Sequence, residues 1–428
     1  MLRVYRRVKT CLLLLAVPGV ALAADWPQFR GPNRDGVSAE TGLLQQWPAD
    51  GPTPLWETTG LGTGYSSMAI CEGKLYSMGD RTVDGQKSQF VYAYDLDTHQ
   101  EIWSTRVGPP HQDGPRCTPT VDGGFAYAIG TSGDVVCVNA ADGTTVWRKN
   151  LLIDLGGAAN PTWKFSESPL IDGDRLICTP GGHKAALAAL DKKTGDVLWR
   201  TSMPDIGPNG KEEAGYSSVI ISRAAGVKQY VQLTNEGVIG VAAADGKFLW
   251  GYNRVANDVA NISMPVVDGD YVFTSTAYNT GSALLRLIGD GSGVKAEEVY
   301  WLDRRTFQSH HGGFLKVGDY IYGGHNHNKG EPACVELLTG KVMWHEARQP
   351  GGGSGCVTYA DGCLYFLYED GRVALVEATP QKYTLKGSFK LPSRPGAEGT
   401  AWAYPVVCDG KLYLRHADVL FCYDVSAP

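Results

Sequence analysis

The chain has no apolar run long enough to cross a bilayer, no sustained amphipathic helical pattern and no C-x-x-C pair. Each absence closes a class. The apolar stretch Leu12–Val17 falls far short of the ~20 residues a spanning helix needs, and no later segment exceeds it, so the mature chain is not expected to be an integral membrane protein. The scarcity of helical periodicity, set against 54 glycines, favours many short strands joined by tight turns. Without C-x-x-C spacing a thiolate metal site is not expected.

What is present begins with an export signal. Arg3, Arg6, Arg7 and Lys9 precede the apolar run, and Ala21-Leu22-Ala23 follows it as a small-residue cleavage site, so residues 1–23 read as a secretory signal. Cys11 precedes the apolar run, where a lipid-anchored cysteine does not lie. The expected location is periplasmic or secreted. Removing those four cations from the 39 Lys and Arg leaves 35 against 45 acidic residues, a net charge of −10. Such a surface repels phosphate backbones, which argues against a nucleic-acid partner. About 400 mature residues exceed the usual single core, so the chain is either several domains or a repeat.

It is a repeat. One unit recurs along nearly the whole chain: an apolar triplet, a turn ending in Gly, an apolar strand, a second strand ending in Asp, a Thr-Gly or Asp-Gly turn, then an apolar residue and Trp. The clearest copy runs Ser168-Pro169-Leu170-Ile171-Asp172-Gly173, Arg175-Leu176-Ile177, Ala188-Ala189-Leu190-Asp191, Thr194-Gly195, Val197-Leu198-Trp199. The first-turn glycine recurs at Gly73, Gly123, Gly173, Gly226, Gly269, Gly318, Gly362 and Gly410, which makes eight units. Each predicts a four-stranded antiparallel meander, A to D, with hairpin turns that need positive φ.

The closing aromatic recurs at Trp103, Trp147, Trp199, Trp250, Trp301 and Trp344, weakens to Phe389, and is missing from the eighth unit. Pro54-Leu55-Trp56-Glu57-Thr58 matches a final strand but precedes the first unit. The expected fold is therefore all-β, an eight-bladed propeller over residues 54–428 with its last blade closed by this N-terminal strand, preceded by an extended segment at 24–53. Ala93, Cys137, Ala189, Gly240, Cys334 and Cys422 share one place in strand C, a slot that takes only small side chains. That slot accounts for three of the nine mature cysteines, and the odd total leaves at least one without a partner in the chain.

Antiparallel order sorts the connections onto two faces. The A-to-B and C-to-D turns share one. The B-to-C loops and the links between blades share the other, which carries the long segments Gly79–Phe90, Asn150–Glu167, Ser202–Tyr216, Tyr252–Ser263 and Gly323–Pro332. Binding is expected on this loop face. Seven of the nine histidines map to it, four of them in the sixth blade: His310, His311, His325 and His327, with Lys329 beside them. These side chains admit a transition metal at His325 and His327, an organic ligand, or simple bonding to backbone and water. Arg116, Trp163, Glu167, Tyr216, Asn261, Trp402 and Tyr404 lie just before an innermost strand A and are candidates to line the central channel. The glycine runs at 60–64 and 351–353 open no helix, so they are not read as phosphate cradles.

On these residues the chain resembles the pyrroloquinoline-quinone (PQQ)-like repeat family. Ala189-Leu190-Asp191-Lys192-Lys193-Thr194-Gly195-Asp196-Val197-Leu198-Trp199 is similar to its A-x-D-x-x-T-G-x-x-x-W docking motif, and Ala93 to Trp103 follows it with His99 in place of the Gly. The opening Asp25-Trp26-Pro27-Gln28-Phe29-Arg30-Gly31-Pro32-Asn33-Arg34-Asp35-Gly36 is similar to the start of many secreted propellers of planctomycete-type bacteria. The resemblance implies the fold and offers two branches. One is a non-enzymatic scaffold like the propeller lipoprotein of the outer-membrane β-barrel assembly machine. The other is a PQQ- and calcium-dependent dehydrogenase of alcohols or sugar-like substrates, which commonly carries an adjacent cysteine pair that this chain lacks.

The leading expectation is an exported scaffold that binds a protein partner or a small ligand through its loop face, with peripheral contact to the envelope left open. The alternative is the dehydrogenase, its cofactor stacked over the channel on Trp163 or Trp402. A hydrolase or lyase using His310, His311 or Glu167 is a third reading, and no residue set at catalytic spacing identifies a reaction.

Overall fold

A small residue in strand C faces a tryptophan in strand D wherever the repeat is regular: Ala93 pairs with Trp103, Cys137 with Trp147, Ala189 with Trp199, Gly240 with Trp250 and Cys334 with Trp344. The slot is tight. In the computed structural model, which describes residues 25–428 apart from 290, 292 and 349, a Cβ added to Gly240 would lie 2.1 Å from Nε1 of Trp250. The export signal expected at 1–23 lies outside the described residues.

Each tryptophan then reaches the next blade. The rings of Trp103, Trp147 and Trp199 lie on Gly143, Gly195 and Gly246, so close that a Cβ there would sit 2.4–2.8 Å from the indole. Trp103 and Trp147 also donate from Nε1 to the Ala140 and Lys192 carbonyls at 3.1 and 2.9 Å. This is why the Thr-Gly or Asp-Gly turn and the Trp travel together in the repeat: one receives the other across the blade boundary. Burying such a ring contributes roughly 1.5–3 kcal/mol.

Among the described residues these rules build eight four-stranded sheets, the eight-bladed all-β propeller expected from the sequence. Its last sheet combines three C-terminal strands with Thr53–Thr58, which pairs antiparallel with Val419–Asp424. Trp56 faces Cys422 and stacks on His99 of the first blade at 4.3 Å. His99 holds the glycine conformation of that turn, at φ 58°, and supplies a ring where its counterparts offer bare backbone. Blade seven, where Phe389 replaces the Trp, is reinforced from outside the repeat by Trp47, whose ring lies 5.4 Å from Phe389.

Around the channel a second set of contacts staples blade to blade. The backbone N–H of Ser67 donates to Thr118 Oγ1 at 3.2 Å, that of Thr118 to Ser168 Oγ at 2.9 Å, and that of Ser168 to Ser218 Oγ at 3.0 Å. One expected loop is not a loop. Residues 79–90 belong to two ten-residue strands, Lys74–Val83 and Gln86–Asp95, whose alternating cross-strand partners extend the blade-one hairpin to a tight turn at Asp84-Gly85.

The segment before Thr53 closes one end of the ring. Trp26 exchanges two 2.8 Å backbone hydrogen bonds with Ile70 in blade one, the Val121 N–H donates to Pro27 O in blade two, and Ser38 N–H donates to Tyr359 O in blade seven. Between these anchors the chain crosses the channel and sends two arginines into it. Arg30 donates to Phe314 O at 2.6 Å, and Arg34 to Ser168 O and Pro169 O at 2.8 and 3.0 Å. Gly36 at φ 78° lets the chain turn back under Arg30, where any side chain would meet the guanidinium.

Candidate functional site

Above that plug, on the loop face, the channel opens as a funnel of ≈ 360 Å³. Its walls come from one position of the repeat. Tyr65, Arg116, Ser166, Tyr216, His310 and Trp402 each lie four residues before the start of a strand A, so eightfold geometry turns them toward one axis. Phe29 of the plug forms the floor, edge-on to Tyr404 at 5.0 Å.

Trp163 and Tyr216 meet edge to face at 6.1 Å on one wall, while His311 lies flat on Trp402 at 4.2 Å and 7° on another. Arg116 donates to Asp113 at 2.8 Å and to the Trp163 carbonyl at 3.2 Å. His310 contacts Ser354 Oγ through Nδ1 at 2.9 Å and Tyr278 Oη through Nε2 at 3.0 Å. Burial holds the imidazoles neutral: His310 is pushed down to about 2 and His311 to about 3, the latter also by Arg116. The funnel is therefore aromatic, with one cation that is paired to one acid.

Eight sequence candidates line it: Arg116, Trp163, Tyr216, His310, His311, His327, Trp402 and Tyr404. Four others do not. Glu167 is buried behind the wall, accepting from Thr179 N–H at 2.7 Å and Thr179 Oγ1 at 2.8 Å, and desolvation raises its pKa to about 7. Asn261 is fully buried, donating to Asn235 Oδ1 at 2.8 Å. Lys329 is exposed, 3.7 Å from Glu331. His325 points the other way from His327. Tyr65, Asp113, Tyr278 and Phe29 were not singled out from the sequence, although Tyr65 occupies the same offset as the residues that were.

The pair considered as one candidate metal site is thus divided. His327 packs against Tyr278 and His310 at 4.6 and 4.4 Å, whereas His325 gathers with Glu331 and His345, their ligand atoms within 4.8 Å of one another. The proton positions speak against a cation there. His325 Nδ1 accepts the Gln308 N–H at 3.2 Å, so the neutral ring, held down to about 4 by burial, carries its proton on Nε2 and offers no lone pair on that side. His345 Nε2 lies 2.7 Å from Glu331, and its ring stands edge-on to His325 at 4.9 Å, so the group is a hydrogen-bonded pair packed against a histidine in blade six.

Fold and funnel together define a class: an eight-bladed PQQ-repeat propeller whose channel is sealed on one side and open on the other. Comparison with known proteins narrows it. The family described as outer membrane protein assembly factor BamB matches residues 87–346, and the chain belongs to that family. Among its relatives, the outer membrane protein assembly factor BamB of Shewanella oneidensis is 24% identical over 308 residues, covering 69% of this chain and 70% of that protein. The protein of the same description from Xanthomonas campestris pv. campestris is 28% identical over 158 residues, 34% of this chain and 37% of its own. Of solved structures, BamB from Moraxella catarrhalis superposes with a TM-score of 0.61 at 13% identity, covering 87% of this chain and 99% of that one. A quinohemoprotein alcohol dehydrogenase from Pseudomonas putida HK5 also reaches 0.61, at 12% identity, covering 95% and 81%. At these identities the superpositions speak for the fold alone.

The dehydrogenase likeness raises the question of a quinone with calcium. Calcium takes six to eight oxygen ligands, carboxylates prominent among them. Among the described residues Asp113 is the one acid lining the funnel, and it is engaged by Arg116, while Glu167 is turned away onto Thr179. This donor set does not fit the cofactor with its metal.

Proposed function

We propose that the protein is an exported binding scaffold of the cell envelope, engaging its partner or ligand through the loop face with the funnel as the point of recognition. The observation that carries this reading is the funnel's single opening: the Trp26–Ser38 segment closes the floor, and the aromatic walls face the same side as the long loops. Concave, mostly apolar sites with a few polar groups are where ligands and anchoring side chains are held. The description of its relatives as outer membrane assembly factors supports both an interaction role and an envelope location, as does the signal read in residues 1–23.

A photo-crosslinking residue placed at Ile153, 84% exposed on the loop face, and in a second variant at Leu338, 53% exposed in a C-to-D turn of the opposite face, tests the proposal in cells. Specific adducts are expected from position 153, and they are expected to fade when Trp163 and Trp402 are both changed to Ala. Equal adducts from both positions, indifferent to the two tryptophans, would overturn the assignment.

A further inference from the structure

Two observations around the funnel bear on what it holds, an inference that rests on the funnel being the recognition point. The first is charge. The sequence carries a net charge of −6, yet the channel concentrates cations. Arg30 and Arg34 are each 2% exposed, and neither forms an ion pair among the described residues. Main-chain carbonyls and the neutral Gln28 amide oxygen receive their hydrogen bonds, which satisfies donors without cancelling charge, and Arg30 Nε, Arg30 Nη1 and Arg34 Nε have no partner. Both sit one layer beneath the floor. Arg30 lies 5.7 Å from the ring of Tyr404, Arg34 is bonded to the Ser168 carbonyl, and Tyr404 and Ser168 both line the funnel. Arg116 adds a third guanidinium in the wall. Neutral His310 and His311 add no charge of either sign, and Asp113 offsets one cation. Asp35 and Glu167 act on Arg30 and Arg34 from a distance without pairing with them, and a low-dielectric cleft above cations held outside any ion pair focuses its potential toward an anion.

The second observation is the distribution of unused polar groups. Thr118, Ser168 and Ser218 spend their hydroxyls on the blade staples. Ser166 Oγ, Tyr216 Oη, Ser217 Oγ, His327 Nδ1 and Trp402 Nε1 are buried at the wall without a protein partner. Buried polar groups are nearly always satisfied by protein or water, so five unpaired atoms gathered at one cavity, out of those spread through the described residues, are available to a hydrogen-bonding occupant. They are interleaved with flat aromatic surfaces, the His311–Trp402 stack and Trp163. An occupant that suits both has an apolar face and a polar rim, which is the chemistry of a pyranose ring, and the cations add a carboxylate.

We propose that the funnel binds an acidic sugar of the uronate class, its ring face on the Trp402 or Trp163 platform, its carboxylate toward Arg116 and the arginines of the plug, and its hydroxyls on the free polar groups of the wall. No bond is made or broken.

The test is a titration of the whole protein with sodium glucuronate, glucose and 2-naphthoate, followed by tryptophan fluorescence and by the shift in melting temperature. Glucuronate is expected to bind about tenfold more tightly than glucose, with the advantage shrinking as ionic strength rises from ~0.05 to ~0.5 M. Arg116→Gln is expected to bring glucuronate down to the level of glucose, while Arg116→Lys retains part of the preference. A Trp402→Ala variant, whose melting temperature reports its folding independently, is expected to weaken both sugars. Equal affinity for glucuronate and glucose, tighter binding of 2-naphthoate than of glucuronate, or no saturable change with either sugar would each sink the inference. Crosslinks at position 153 that still depend on Trp163 and Trp402 in that event would leave the binding-scaffold reading standing.

Discussion

At the outer rim of the ring Trp103, Trp147 and Trp199 each lie on a turn glycine of the next blade, though Trp199 Nε1 stays unbonded, and at the mouth of the channel several polar groups find no partner. Trp147 is 8% exposed, lies on Gly195 of the next blade and donates to the Lys192 carbonyl. Trp402 is of the same residue type, yet it lies on a histidine, borders an open cavity and leaves Nε1 unbonded. The difference separates two uses of one side chain. Where the repeat dictates both ring and receptor, the indole is structure. Where the ring stands at a repeat position with no repeat partner, it is free to contact something else.

The sharpest way to break this comparison is to truncate both rings. Trp147→Ala is expected to lower the free energy of urea unfolding by about 3–5 kcal/mol, because a cavity opens at a blade boundary and a carbonyl loses its donor. An effect of the same size at the channel mouth would erase the distinction.

A second effect is expected at Glu167, just behind the funnel wall. Burial raises its carboxyl from 4.5 to about 7, so between those values the folded chain keeps a proton that the unfolded chain has released. Stability from this group is therefore complete below about pH 4.5 and declines as pH rises toward 7, by about 3 kcal/mol in all. Denaturation midpoints measured across that range should fall in the parent protein more steeply than in Glu167→Gln. Parallel curves would show that the wall is solvated there.

The smallest effect is assigned to Trp402→Ala, below about 1 kcal/mol of stability by the same unfolding measurement. Its phenotype should instead be lost binding.

The fold was legible because the repeat writes each contact twice. Turn glycine and tryptophan sit at fixed offsets, and Leu55-Trp56 ahead of the first unit matches the strand absent from the last. The funnel was legible chiefly where it borrows the repeat, with Trp163 and His327 found by residue type rather than by offset. Arg116, Tyr216, His310 and Trp402 share an offset of four from strand A and converge, whereas Glu167 and Asn261, at three and five, turn into the wall with the alternation of extended chain. His311, also at three, escapes that rule beside Gly312 and Gly313, both at positive φ. Tyr278, in the loop between strands B and C of blade five, and Phe29, in the plug, have no counterpart in other blades, so periodicity could not point to them. The metal reading of His325 and His327 failed to separate neighbours in sequence that face opposite ways, because one ends a strand and the other follows Asn326 at φ 72°.

The clasp between Thr53–Thr58 and Val419–Asp424 also sets a schedule. The first strand leaves the ribosome some 360 residues before its partner, a wait on the order of 20–70 s at about 5–20 residues per second. For that interval the half-blade carrying Leu55 and Trp56 is a bare edge, ready to pair with any stray strand. Correct assembly thus depends on keeping an early segment unengaged until the last one arrives, so a nascent chain stalled within blade eight would be the most adhesive form of this protein.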